Sequence, residues 1–182
     1  MKILNFWMVA FMALSLSTTL TSCSDDDEKK EETEMKTLTV DATAYNQWVY
    51  VNLKDGKTQT VTMEGSDDES AVTIDWQIAI HRYTEVKTNG GSVVKTDMTD
   101  MSKMTTIPTG GYAADESEQN ILVRFAMPPT DDCYVKSHCN TAMVWTEGSA
   151  MAGTLATTNN VFVLKCKDGT YAKLQYTDFA NA

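Results

Sequence analysis

Period-two alternation of apolar and polar side chains runs through most of the chain beyond residue 36, and it predicts strands. The segments 37–40, 48–53 and 58–63 are rich in β-branched and aromatic residues, and Lys54-Asp55-Gly56-Lys57 between the last two is a hairpin signal. The alternation returns in 76–83, which ends ahead of the turn Asn89-Gly90-Gly91, and again in 121–127, which stops at Pro128-Pro129. Segments 161–166 and 171–176 flank a second hairpin signal, Lys167-Asp168-Gly169-Thr170. No amphipathic stretch of helical length is present, and only a short helical turn is expected at 43–47. The pattern therefore predicts an all-β domain built mostly of antiparallel sheet.

The N-terminus follows a different rule. Lys2 precedes an apolar run, 3–20, that closes on small residues, which is the pattern of a cleaved signal peptide rather than a spanning helix. Leu20-Thr21-Ser22-Cys23 resembles the lipobox of bacterial lipoproteins, which implies that Cys23 is acylated and becomes the first residue of the processed chain. The acidic run Ser24-Asp25-Asp26-Asp27-Glu28 is similar to the tag that sends lipoproteins of Bacteroidetes to the cell surface. Three regions are expected: a signal peptide over 1–22, an acidic flexible tether over 23–35, and a β domain over 36–182.

Charge supports that division. The formal net charge is −10, and segment 23–35 carries seven acids against two lysines, too polar a stretch to order itself by burial. No basic stripe occurs, which argues against nucleic acid as a partner. The N-terminal lipid is then the expected membrane attachment.

The residues capable of chemistry are few. Cys133 and Cys139, in Cys-Tyr-Val-Lys-Ser-His-Cys, have spacing suited to a short disulfide loop in an oxidising envelope. With one histidine between them they make a poor zinc motif. Cys166, in an apolar run, reads as an inert buried thiol. The segment 148–153 contains a serine between glycines but lacks the strand-to-helix context of a nucleophile elbow. Asp67, Asp68 and Glu69 read as solvated turn surface. No phosphate loop or metal-bearing helix motif is present, so no catalytic residue is assigned and the chain is expected not to be an enzyme.

Several longer segments are similar to the HmuY family. They are Asp41-Ala42-Thr43-Ala44-Tyr45-Asn46-Gln47-Trp48, Trp76-Gln77-Ile78-Ala79-Ile80-His81-Arg82-Tyr83, Lys87-Thr88-Asn89-Gly90-Gly91, Lys95-Thr96-Asp97-Met98, Thr105-Thr106-Ile107-Pro108-Thr109-Gly110-Gly111-Tyr112 and Lys173-Leu174-Gln175-Tyr176-Thr177-Asp178-Phe179. They occur in the family's order across most of 36–179. The resemblance implies an all-β, surface-anchored lipoprotein of the outer membrane that takes up haem as cargo and passes it to a TonB-dependent receptor. It also implies one further strand beyond Phe179, so an unpaired edge at 171–176 is expected. A surface module of the same fold that binds a glycan or protein without ligating iron is the other expectation.

In the family the iron is held between side chains of two facing loops, histidines in some members and methionines in others. Met151, in the loop after Trp145, falls on the second ligand position. The first position falls on Asp131, Asp132 and Cys133, none of them a histidine or methionine. The nearest competent atoms are the thioethers of Met127 and Met143 and the imidazole of His138, since haem iron accepts both atom types. Tyr134 and Trp145 are candidate walls for the macrocycle, and Lys136 and Arg124 are candidate partners for its propionates. His81, inside the alternating 76–83 segment, reads as a structural histidine.

Overall fold

The computed structural model describes residues 2–7, 35–149 and 152–179. Cys23, the 8–34 segment that contains it, and Met151 lie outside the described residues. The strands are β1 (Lys2–Trp7), β2 (Met35–Val40), β3 (Gln47–Val51), β4 (Thr58–Thr62), β5 (Ile78–His81), β6 (Glu85–Thr88) and β7 (Ser92–Lys95), then β8 (Ala113–Ala114), β9 (Ser117–Leu122), β10 (Tyr134–Cys139), β11 (Thr146–Glu147), β12 (Ala156–Thr157), β13 (Val161–Lys165) and β14 (Tyr171–Phe179). Among the described residues the only helical elements are two single 3-10 turns, Met101–Lys103 and Asp131–Cys133. The all-β expectation holds.

Every described strand pair is antiparallel. One sheet has the order β2-β1-β14-β13-β7-β8 and a second the order β4-β3-β5-β6, while β9 with β10 and β11 with β12 form two-stranded ribbons. The two large sheets pack face to face. Val49, Val51, Ile78, Ile80 and Val86 of the second sheet meet Val93, Phe162, Leu164, Leu174 and Tyr176 of the first. Each such side chain, when fully buried, contributes about 1.5–3 kcal/mol.

Strand β3 is buried on both faces. Trp48 and Tyr50 point away from the first core and form a second one with Met63, Trp76, Ala79 and the ribbon residues Ile121, Val135 and Cys139. The β9–β10 ribbon is thus a third layer, laid over the outer face of the second sheet. On the far side of the first sheet, Val161 and Val163 pack under Met101 and Met104 of the 97–112 excursion. Lys173, also on that side, donates to the Met104 carbonyl.

Three expectations change here. Segment 134–139 is a strand: Val135, Ser137 and Cys139 face inward, and Tyr134, Lys136 and His138 face out. The alternation expected through residue 127 ends at Leu122 instead, and 123–133 forms the ribbon's long connection. In the full-length chain the edge of β14 expected to be open is paired, with Lys2–Trp7 running antiparallel between β14 and β2; these residues fall in the segment expected to be cleaved as a signal peptide, so the processed chain would lack this pairing.

Candidate functional site

Two connections converge at one rim of the sandwich, and the residues that support them are clustered. Phe125, in the β9–β10 connection, is 63% exposed, and its ring lies 6.4 Å from that of Tyr45. Met127, two residues on, is 80% exposed. Two large apolar side chains this bare on one tip are an unusual use of surface.

Tyr45 in turn carries Arg82. The guanidinium carbon sits 3.6 Å from the Tyr45 ring centre and 4.7 Å from that of Tyr83. Nη1 donates to the Thr43 carbonyl at 2.6 Å and Nη2 to the Tyr83 hydroxyl at 2.8 Å. Arg82 occupies the left-handed region at φ +48°, a strained conformation outside glycine that clusters at functional sites. It ends β5 and turns the guanidinium between the two rings.

His81 locks the same turn from beneath. It is 1% exposed, with Nε2 2.6 Å from the Tyr45 carbonyl and Nδ1 3.1 Å from the Glu85 carboxylate. Burial works against the Glu85 charge, yet the hydrogen bond and attraction from His81, with help from Thr84, hold its pKa below the ordinary glutamate value. The structural reading of His81 stands.

The second connection, between β11 and β12, is tied to this cluster by the Thr146 hydroxyl, which donates to the Tyr83 carbonyl at 3.3 Å. The loop folds on itself: Thr154 N–H donates to the Ser149 carbonyl at 3.0 Å, and Ser149 N–H to Thr154 Oγ1 at 3.1 Å. Gly148, at φ +87°, permits this closure, because a Cβ there would collide with the Thr154 carbonyl. Rim residues Phe125, Tyr45, Arg82, Tyr83 and Thr146 therefore form one continuous support between the two loops.

The sequence candidates are distributed unevenly over this geometry. Met127 lies on the tip. Met143 does not belong to the site: it is 1% exposed and its sulfur accepts from the Tyr176 hydroxyl at 3.3 Å in the first core. Trp145 is no wall either, being 2% exposed and stacked on Tyr176 with centroids 4.6 Å apart. Both were drawn inward by the apolar gap at the end of β14, a pull that sequence position cannot reveal.

His138 is on the exposed face of β10, paired in register with Glu118. It stands four residues from Tyr134, about 13 Å along the strand, on the side away from the tip. Lys136 pairs with Glu118, and Arg124 with Asp132. Tyr134, 40% exposed, borders a cleft between the ribbon and residues 65–67 rather than the two-loop rim.

The expected disulfide is absent. Cys133, in the 3-10 turn just before β10, and Cys139, the last residue of β10, are free, buried thiols. Six residues of extended chain separate them by about 20 Å, against roughly 4.4–6.8 Å between bridged Cα atoms. Burial pushes the Cys139 thiol up to about 12. Among the described residues no group of three His, Cys, Asp or Glu side chains is placed to hold a metal ion.

The acidic turn is not idle surface. Lys87, with 4% of its side chain exposed, lies 2.8 Å from both Asp67 oxygens and 2.7 Å from Glu69, and its ammonium stands 4.6 Å over the Trp48 ring. Ser137 of β10 also donates to Asp67. This knot pins the 64–70 turn and the ribbon onto the second sheet, and so fixes the root of the tip that carries Phe125 and Met127. Spacing alone gave no sign of Tyr45, Arg82 and Tyr83 as a unit, because 37 residues separate the first from the second.

A layered antiparallel β domain presenting two loops at one rim is the class of protein that this fold defines. The HmuY protein family model matches residues 44–182, and the chain belongs to that family. A Bacteroides vulgatus protein assigned as HmuY-like and haem-binding is similar at 30% identity, with a TM-score of 0.65 over 79% of this chain and 81% of that one. The apo form of the Tannerella forsythia HmuY analogue gives 30% identity and a TM-score of 0.64 over 78% and 85%. A Bacteroides fragilis protein assigned as a lipoprotein gives 29% identity and a TM-score of 0.65 over 79% of each chain. No protein of curated function matches the chain.

Proposed function

We propose that this chain is a haem-binding lipoprotein, anchored through Cys23 at the outer-membrane surface, which captures haem and passes it to a TonB-dependent receptor. The observation that carries the reading is the bare Met127 thioether, two residues from Phe125, on a tip propped against Tyr45. Membership of the HmuY family, and the haem-binding assignment of a relative, support it.

The residues fit the cargo's chemistry. A thioether is a competent axial ligand for haem iron; Met127 supplies one, and Met151 of the β11–β12 loop would supply the other. Phe125 and Tyr45 offer apolar faces to the macrocycle. Arg82 brings positive charge to the same rim, suited to the propionate carboxylates. Nothing in this scheme is catalytic. The cargo is bound and released through the two loops, whose anchorage to the sandwich is by Tyr45 and Thr146.

The test is a haem titration of the processed chain followed by visible absorption. A sharpened Soret band that is altered in both Met127→Ala and Met151→Ala, and kept in His138→Ala, is the expected result. A spectrum identical to free haem in the unsubstituted chain would overturn the reading. Loss of the band in His138→Ala with Met127→Ala unaffected would move the ligand to β10.

A further inference from the structure

The first sheet contains a strand that processing takes away. Lys2–Trp7 fills the space between β2 and β14 and pairs antiparallel with each. Among the described residues no other strand borders β2, and β14 has only β13 on its other side. Cleavage before Cys23, on which the proposed function rests and this inference with it, therefore opens a slot one strand wide. Its two walls then stand about 9.5 Å apart.

A shift of β2 does not close the slot. Both walls run antiparallel to the strand between them, so β2 and β14 are parallel to each other. The C-terminal end of β2 is held, because Val40 and Ala42 are buried in the first core. The chain beyond is tied by the Asp41–Thr43 turn, by Arg82 at the Thr43 carbonyl and by His81 at the Tyr45 carbonyl. Moving β2 across one strand width drags Val40 and Ala42 out of that core.

The walls specify what fits. Leu38 of β2 and Tyr176 of β14 flank one position of the slot, since both are in register with residue 4. Leu38, Val40, Leu174 and Tyr176 all pack in the first core, so a strand entering there needs apolar side chains at alternate positions. Thr37 and Thr39, both exposed, mark the intervening positions, which tolerate polar side chains. Each wall also presents a row of backbone N–H and C=O groups without a neighbour. Such an edge is a template for the addition of a strand.

Chain length and charge point to the source of that strand. Met35 opens β2 only 12 residues after Cys23, a reach of about 43 Å at full extension, so the slot is held close to the membrane surface. A second copy is the poorer occupant, because loss of Lys2 makes the net charge of −10 more negative still, and like charges repel. We infer that the slot takes an extended segment of another protein at the same membrane surface. That segment has about six residues, is apolar at alternate positions and carries no net negative charge. It runs antiparallel to β14 in place of Lys2–Trp7 and completes the first sheet.

The test is amide hydrogen exchange of the unacylated processed chain with a capped peptide copying residues 2–7, Lys-Ile-Leu-Asn-Phe-Trp. With the peptide at millimolar concentration, exchange in 36–40 and 173–179 slows about tenfold or more. Leu4→Asp/Phe6→Asp and Asn5→Pro versions of the peptide leave it unchanged, the first by setting charge against the core, the second by removing a ladder donor. Only the peptide is altered, so the fold of the protein is undisturbed. Outer-membrane vesicles bind the unacylated chain and release it to the peptide; no binding, or binding that the peptide leaves intact, would overturn the choice of partner. No slowing, equal slowing with the Asp version, or β14 already as protected as β13 in the free processed chain would overturn the slot. So would a dimer in sedimentation that the peptide dissociates, since a second copy then fills it. The haem titration is read on the same chain without peptide, so failure of the slot and failure of the haem reading are told apart.

Discussion

Lys87→Ala is the substitution whose cost the geometry fixes most closely. It leaves Asp67, 12% exposed, with Ser137 but without its cation. Removing one partner of a buried, hydrogen-bonded ion pair costs about 3–5 kcal/mol. Glu69 adds little to that, because its carboxylate is 46% exposed and solvent screens it. The ammonium over Trp48 adds about 1 kcal/mol more, while water reaching the vacated site offsets part of the loss. A net destabilisation of about 3 kcal/mol is expected, and a chain of this length then melts roughly 10 °C lower. Thermal and urea unfolding measure it. Asp67→Asn/Lys87→Ala should recover much of the loss, because no buried charge then lacks a partner, giving a coupling of about 1–3 kcal/mol in the double-mutant cycle with Asp67→Asn and Lys87→Ala. Haem affinity should fall in the single variant, since the ribbon that bears Met127 is pinned by the same knot. A melting temperature within about 2 °C of the unsubstituted chain, or strict additivity in the cycle, would refute the reasoning.

The remaining predictions use other parts of the rim. Glu85 is held below its ordinary pKa by His81, so its contribution is present above the unfolded glutamate value and lost as pH falls through the lower folded value; Glu85→Gln should flatten the acid limb of a stability–pH profile below about pH 4.5. Thiol titration under denaturing, non-reducing conditions should find Cys133, Cys139 and Cys166 all reactive, whereas the folded chain should protect Cys133 and Cys139. Gly148→Ala forces a Cβ onto the Thr154 carbonyl in a left-handed backbone. It should cost about 1–3 kcal/mol, read by chemical denaturation, and speed haem release measured by transfer to apomyoglobin.

Much of the fold was legible before the structure. The alternation in 161–166 separates into Phe162 and Leu164 facing one core and Val161 and Val163 facing another. Strand β10 escaped because Lys136, Ser137 and His138 form a polar run, and Ser137 faces inward only because Asp67 receives its hydroxyl. The buried Asp67 and Lys87 escaped for a related reason: residues 20 apart in sequence offset each other's burial only once a turn has brought them together. In the candidate site, Met127 was legible as a thioether ahead of two prolines, but at the end of an expected strand, whereas the structure places it in the 123–133 connection. Met143 and Trp145 were misplaced because sequence cannot say which way a loop side chain turns. The Tyr45–Arg82–Tyr83 stack depends on a positive φ at an arginine, which no propensity announces.

Strand β3 gives two side chains to each of two cores. It therefore has no face on which substitution is cheap, and loss of either neighbouring layer strips half of its cover. The domain should accordingly melt in one calorimetric transition, with van't Hoff and measured enthalpies in agreement. In a saturation library, replacements at 48–51 should be depleted well before those in either loop, leaving the loops as the part of the chain that selection can vary while the scaffold stays fixed.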